Sequence, residues 1–524
     1  MNMSRITRFC SSETRRISIP PLRPCREFIF TSSPFISIRN CNRRLYFSHG
    51  SIINLPRVRN WNGRQVLGVC SALLLAGAGI SHHIFTSRPL KLESDDTGFL
   101  SGKHIAERYR PPIPPYTIEQ ANEALRWEEA SQPVGMGSGV LRFDKCRVPS
   151  NNPPEDELTS ASGYEDDEVE WLLWGIFDGH AGWETAITLY AYMIKYIARE
   201  LAILSPSGRV SEVAPENIDL AIRNAFLQLD HDIMDQAAKA VSGSPFLNDA
   251  MSQLGPAYSG SCALVSFYHS DSQQIKVACT GDSRAVLGRR SSVGKWEATA
   301  LSKDQTGKDK EEVIRLQAEH PDEPGMIKDG RILGLAVTRA FGDSRWKWSR
   351  ELQQQAKKRF FGPNIIEPLL TPPYLTAEPV ITTTKIEPGK GDFVIMASDG
   401  LWDNLTSEQA VNLVGRWLKT HDPATEVKPP NLAQAPAAMA EQQISARENP
   451  HGRIAYAEIP PGDDNNFVIA DENAATHLIR NALGGGNEDM LCGLLTPMPP
   501  LSRKVRDDIT VLVIFFGDDT IPNY

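Results

Sequence analysis

Three stretches constrain this chain more than any other feature. EWLLWGIFD (170–178), KGDFVIMASDG (390–400) and DDITVLVIFF (507–516) run nearly unbroken through apolar residues and carry aspartate at one end. Such runs read as strands buried in a core rather than half-exposed ones, which would alternate. Between them lies WETAITLYAYMIKYIARELAIL (183–204), an amphipathic helical pattern. GSCALVSFYHSDSQQIKVACTGDSRAVLGR (260–289) reads as two strands joined by a polar turn at Ser270–Gln274. Strands and helices therefore do not alternate one for one, as a parallel doubly wound sheet requires. An antiparallel α+β layering fits better.

The 524 residues suffice for two or three average domains, or for one large domain with insertions. The net charge of −9 hides an asymmetry: residues 1–92 hold thirteen Arg and one Lys against Glu13 and Glu27 alone, so the rest is strongly acidic. An acidic body excludes nucleic acid as the main partner, because phosphate-backbone binding needs Lys/Arg clusters. Residues 1–65, rich in Arg and Ser and poor in acids, have the composition of a mitochondrial targeting presequence. VLGVCSALLLAGAGI begins at Val66; extended to Phe85 it reaches the length of a single transmembrane anchor, at the cost of two histidines. If it spans the inner membrane, the Arg excess places the leader in the matrix and the body in the intermembrane space. Cleavage of the leader reverses that assignment, and the topology stays open.

Residues 86–134 read as a linker with a short Thr-capped helix, TIEQANEALRW. Residues 423–470, rich in Pro and Ala, read as a surface insertion. The cysteines show no C-x-x-C pair, so neither a disulfide framework nor a zinc site is indicated. GMGSG (135–139) lacks the lysine and spacing of a phosphate-binding loop.

The acidic residues keep to strand ends. Asp178 closes GIFDGH, Asp282 lies in ACTGDSR, Asp399 and Asp403 in IMASDGLWD, and Asp507 and Asp508 in RKVRDDIT. Glu155 and Asp156 follow a Pro-rich turn in PSNNPPEDE. One solvated aspartate at a strand end is ordinary turn chemistry. Several brought together would repel severely unless cations neutralised them. Carboxylates, backbone carbonyls and waters are the donors that Mg²⁺ or Mn²⁺ prefers.

FDGHAG, GSCALV, GDSRAVL, GLAVTRAFGD, ASDGLWD and RDDITVLV occur here in the order found in the type 2C metal-dependent serine/threonine protein phosphatases, which the chain resembles from about 135 to 516. PEDE after VPSNNP, QAEHPDEPG, RWKWSRELQ and TPPYLTAEP resemble, more narrowly, the pyruvate dehydrogenase phosphatase branch. The resemblance implies a central β-sandwich of two antiparallel sheets flanked by α-helices, with 135–517 as the catalytic domain. It implies hydrolysis of phosphoserine or phosphothreonine with two Mg²⁺ or Mn²⁺ per site and a third, weaker site. The implied substrate is a phosphoprotein, the pyruvate dehydrogenase complex through its E1 α subunit.

By the same resemblance Asp178 bridges two ions, the Gly179 carbonyl joins one of them, and Asp399 and Asp507 complete the other. Glu155 and Asp156 act mainly through bound waters, Asp282 contributes to the third site, and His180 is the acid that protonates the departing oxygen. Two cations a few ångströms apart acidify a shared water and offset phosphoryl charge. Asp343 reads only as a residue securing the turn after AVTRAF. One departure stands out: many members have an arginine for the substrate phosphate five residues before the second acid of the Glu-Asp pair, and here that position is Asn151. Asparagine donates hydrogen bonds but offers no charged fork. The basic, aromatic stretch Ser344–Tyr374 reads either as a substrate-recognition element or as a helix packed on the body. Two rival readings are the same chemistry on an intermembrane-space phosphoprotein, and an inactive phosphatase-like binding module. Retention of the metal carboxylates argues against the second.

Overall fold

Strands that are apolar on both faces need cover on both sides, and the structure supplies it with four layers. The computed structural model describes residues 114–517 apart from 135–136, 166–167, 206–208, 245 and 424–465. The presequence, the Val66–Phe85 run, most of the 86–134 linker and nearly all of the 423–470 insertion lie outside the described residues. Among the described residues no helix is long and apolar enough to cross a membrane.

Two antiparallel sheets form the centre. One runs in the order Ala130–Pro133, Val140–Val148, Ile509–Phe516, Phe393–Ala397, Arg284–Arg290, Trp296–Ala300. The other runs Val380–Lys385, Gln274–Thr280, Ala263–His269, Glu168–Phe177, Glu157–Glu165. Alternation along each strand sends successive side chains to opposite faces. Leu172, Trp174 and Ile176 from one sheet meet Val394, Met396, Leu512 and Ile514 from the other between the sheets. Their neighbours Trp171, Leu173 and Phe177 face outward under the helices Glu184–Leu204, Pro215–Gly243 and Leu247–Tyr258. On the far side Phe393, Ile395, Val511 and Val513 lie under Ser407–Trp417, Ala474–Ala482 and Glu488–Leu495. This is the β-sandwich flanked by helices that the resemblance implies.

Three local readings change. Residues 260–289 make four strands: Gly260–Ser261 joins a small separate ladder, and the chain leaves one large sheet after Thr280 and enters the other at Arg284. Helix Ile118–Arg126 and strand Ala130–Pro133, within the stretch read as linker, are part of the body: Thr117 and Gln120 form a capping box, Ala121 and Leu125 are buried, and the strand pairs with Val140–Val148. In the stretch 344–374, helix Arg350–Phe360 buries Gln353, Ala356 and Phe360. There Arg359 donates to the carbonyls of Val241 and Ser244, closing the end of helix Pro215–Gly243. That stretch thus contains a helix packed on the body.

Trp174 is fully buried between the sheets, whereas Trp127 is 79% exposed. Trp174→Ala should cost about 3–5 kcal/mol in urea unfolding, and Trp127→Ala no more than about 0.5 kcal/mol. Comparable losses would contradict the sandwich core.

Candidate active site

The strand ends converge at one edge of the sandwich. Asp178 follows directly on Phe177, and its carbonyl accepts from Cys262 N at 2.8 Å. Asp282 sits in the crossing between the sheets, and Asp399 opens the short helix Asp399–Trp402. Carboxylate oxygens of Asp178, Asp282 and Asp399 all lie within 4.8 Å of one another, and Asp399 N donates to Asp178 Oδ2 at 3.3 Å. Asp156 is buried beside them, and its Oδ2 has no hydrogen-bond partner among the described residues.

Burial, and then mutual repulsion, raises every acid of this group. Asp156 is pushed up to about 8 by burial and by Asp508, and Asp399 to about 7 by burial, Asp282 and Asp403. Asp178 is raised well above the carboxylate range by burial and by Asp399, Asp156 and Asp282. Asp282 is raised chiefly by burial. Gly179 permits the closest approach: a Cβ there would lie 2.3 Å from the carbonyl oxygen of Glu155. An orphaned buried oxygen, crowded carboxylates and exclusively oxygen donors fit a hard divalent cation.

The loop bearing Glu155 and Asp156 is tied to the strand Ile509–Phe516 through Asp508. Its Oδ1 accepts from Ser150 N, from Ser150 Oγ at 2.7 Å and from Asn151 N at 3.2 Å. Its Oδ2 accepts from Glu155 N at 2.7 Å and Asp156 N at 3.2 Å. Nothing in the sequence reading gave Asp508 this task; the available signal was the doubled aspartate at the start of a buried strand. Asp507 is not among the three clustered acids: it pairs with Arg503 and accepts from Asp508 N at 2.7 Å. Asn151 donates its Nδ2 to Glu155 Oε2 at 2.8 Å, and Glu155 Oε1 accepts from Gly182 N at 2.8 Å. Asn151, the position at which a substrate phosphate contact is expected, lies on the same turn as the Glu155 carboxylate to which it donates.

His180 is placed by a three-stranded ladder of Gly179–His180, Gly260–Ser261 and Phe341–Gly342. The ladder delivers Asp343, which adopts the left-handed conformation (φ 55°), to the imidazole. His180 Nε2 and Asp343 Oδ2 are 2.7 Å apart. Burial lowers the basicity of His180, but the Asp343 carboxylate outweighs it and leaves the pKa raised. Gly260 makes the room, since a Cβ there would lie 2.2 Å from His180 Nε2. Lys347, paired with Asp230 at 2.7 Å, donates to the Ala340 carbonyl and fixes the approach to Asp343. Asp343 therefore does more than secure a turn.

A helix-covered antiparallel sandwich with crowded, part-buried carboxylates that fit a cation is the architecture of a metal-dependent enzyme. The chain belongs to the protein phosphatase 2C family, whose model, "Protein phosphatase 2C", matches residues 150–444. It is accordingly a metal-dependent protein serine/threonine phosphatase. It is 40% identical over 413 residues to a protein phosphatase 2C homologue of Schizosaccharomyces pombe, covering 78% of this chain and 87% of that one. It is 38% identical over 421 residues to mitochondrial [pyruvate dehydrogenase [acetyl-transferring]]-phosphatase 1 of Saccharomyces cerevisiae, covering 76% of this chain and 73% of that one. The human protein of the same name is 31% identical over 484 residues, with 78% and 84% covered.

The acid cluster sets a pH dependence for the metal-free protein. Each carboxyl has a folded-state pKa above its ordinary 3.8, so its contribution is complete below that value and is lost as pH rises through the folded values, about 7 for Asp399 and about 8 for Asp156. Each costs up to about 1.4 kcal/mol per pH unit across that window. The metal-free protein should melt at lower temperature near pH 8 than near pH 5.5, and Mn²⁺ should raise the melting temperature more at the higher pH. Equal Mn²⁺ gains in differential scanning fluorimetry would show that these acids do not hold the ion.

Proposed function

We propose that this chain removes phosphate from phosphoserine of the pyruvate dehydrogenase complex, on its E1 α subunit, inside mitochondria. The observation that carries the chemistry is the convergence of Asp178, Asp282 and Asp399. The substrate reading is supported by 38% identity, over 76% of this chain, to a protein named as a pyruvate dehydrogenase phosphatase. The Arg-rich leader agrees with the compartment.

We assign Asp178, Asp399, Asp507 and the Gly179 carbonyl to hold two Mg²⁺ or Mn²⁺. Glu155 and Asp156 act through waters, and Asp282 with Asp399 forms a third site. Bound there, the cations offset charge on the phosphoryl oxygens and make a neighbouring water acidic enough to react at neutral pH. His180 supplies the proton that the departing serine oxygen needs. Asp343 holds Nε2, which leaves Nδ1, without a hydrogen bond among the described residues, to face the ester. The raised pKa keeps that proton in place until it is required. Glu155, held by Asn151 and Gly182, keeps the loop wall in register with the cluster.

Asp178→Asn should lower turnover of a phosphoserine peptide about 100-fold or more, and EDTA should abolish it in the unaltered protein. Mitochondria carrying Asp178→Asn should accumulate phosphate on the E1 α subunit to the level of a deletion strain. Unchanged E1 α phosphorylation in quantitative phosphoproteomics would reject that substrate.

We further propose that Val66–Phe85 anchors the protein in the inner membrane. The full chain should then stay in the pellet after alkaline carbonate extraction and move to the supernatant when the run is deleted. A soluble full chain would dismiss the anchor.

A further inference from the structure

A phosphate monoester brings about two negative charges at neutral pH into a rim of carboxylates. The chain must supply a cationic fork of its own if the substrate is to be oriented there. The neighbouring arginines are already engaged. Arg284 is held by Asp304 at 2.9 Å through Nε and lies over the Trp402 ring. Arg147 is shared between Glu128, Glu157 and the Asp156 carbonyl. Arg506 donates its Nε to the Leu494 carbonyl, and its unpartnered Nη1 is buried from solvent.

Arg503 differs. Its side chain is 35% exposed, and one arm of the guanidinium meets Asp507. Its Nε lies 3.8 Å from Glu155 Oε2, beyond a hydrogen bond, on the same carboxylate oxygen that accepts from Asn151. Among the described residues neither Nε nor Nη2 has a hydrogen-bond partner. The turn Ser502–Lys504 is fixed, because Ser502 is fully buried and donates its hydroxyl to the Ser150 carbonyl. The same loop, from Ser150 to Asp156, therefore positions both Asn151 and Arg503.

We propose that Arg503 binds the substrate phosphate, filling from the C-terminal side of the site the place where Asn151 offers no charge. Asp507 and the phosphate would share it: with Asp507 holding a cation, the Arg503 guanidinium would be free to offer its charged fork to the phosphate. The proposal rests on the phosphatase assignment of this site. Any role for Arg503 as a mere counter-ion to Asp507 predicts a different response to its removal.

The test uses the full chain with Mn²⁺ and compares Arg503→Gln and Arg503→Lys with the unaltered protein. Orthophosphate and Mn²⁺ affinities are measured by calorimetry, and KM and kcat with a phosphoserine peptide. Arg503→Gln should weaken orthophosphate binding about tenfold or more and raise KM by a similar factor. Mn²⁺ should bind as tightly or more tightly, since Asp507 loses its competing partner. Arg503→Lys should recover part of the phosphate affinity, because it restores the charge without the fork. Orthophosphate affinity within about twofold of the unaltered protein would overturn the proposal. So would a parallel loss of Mn²⁺ affinity, which would make Arg503 a support of the cation cradle. No Mn²⁺-dependent hydrolysis by the unaltered protein would instead remove the phosphatase assignment, and this proposal with it.

Discussion

The carboxylate of Asp508 is the fastening on which the site depends. It accepts from four backbone or hydroxyl donors of the Ser150–Asp156 loop beyond Ser150 N itself, and it does so while buried. A buried carboxylate is stable only when its lone pairs are satisfied in this way. The loop so fixed carries Asp156 to the acid cluster, Glu155 to the neighbourhood of Gly179 and the Ser150 carbonyl to Ser502. Without that fastening, acids whose mutual repulsion already raises their pKa values would have reason to separate.

The cluster is in turn an expense that the scaffold carries. The central strands are covered on both faces by apolar side chains, and their ends are the first positions open to solvent and cations. This explains why the acids appear where apolar runs stop. The His180–Asp343 pair follows the same logic from another direction. It sits at the end of a ladder only two residues long per strand, beside a glycine whose missing side chain leaves the space.

Much of this was legible in the chain itself. The continuous apolar runs at 170–178, 390–400 and 507–516 announced buried strands, and their terminal aspartates announced the cation chemistry. The helix 183–204 and the cap at Thr117 were also readable from periodicity and polar residue placement. What stayed hidden depends on direction rather than composition. Two adjacent aspartates point to opposite sides, so the pair Asp507–Asp508 gives no local sign of which one faces Arg503 and which one holds the loop. Asp343 meets His180 across 163 positions through a left-handed turn, which motif spacing does not encode. Arg503 looks like one charge in a basic run until the Ser502 hydroxyl fixes the turn beneath it. The crossing between sheets after Thr280 was missed because a turn and a change of sheet share the same polar, glycine-containing signature.

The strand Ile509–Phe516 lies between Val140–Val148 and Phe393–Ala397, pairing Ile509 with Val148 and Phe393 with Phe515. During synthesis the six-stranded sheet therefore waits with a gap at its middle while several hundred residues emerge. Until that strand arrives, Val148 lacks Ile509, Ala397 lacks Val511, and the Ser150 loop lacks the Asp508 carboxylate that holds it. A chain lacking this strand would expose the apolar edges of Val140–Val148 and Phe393–Ala397 to its surroundings.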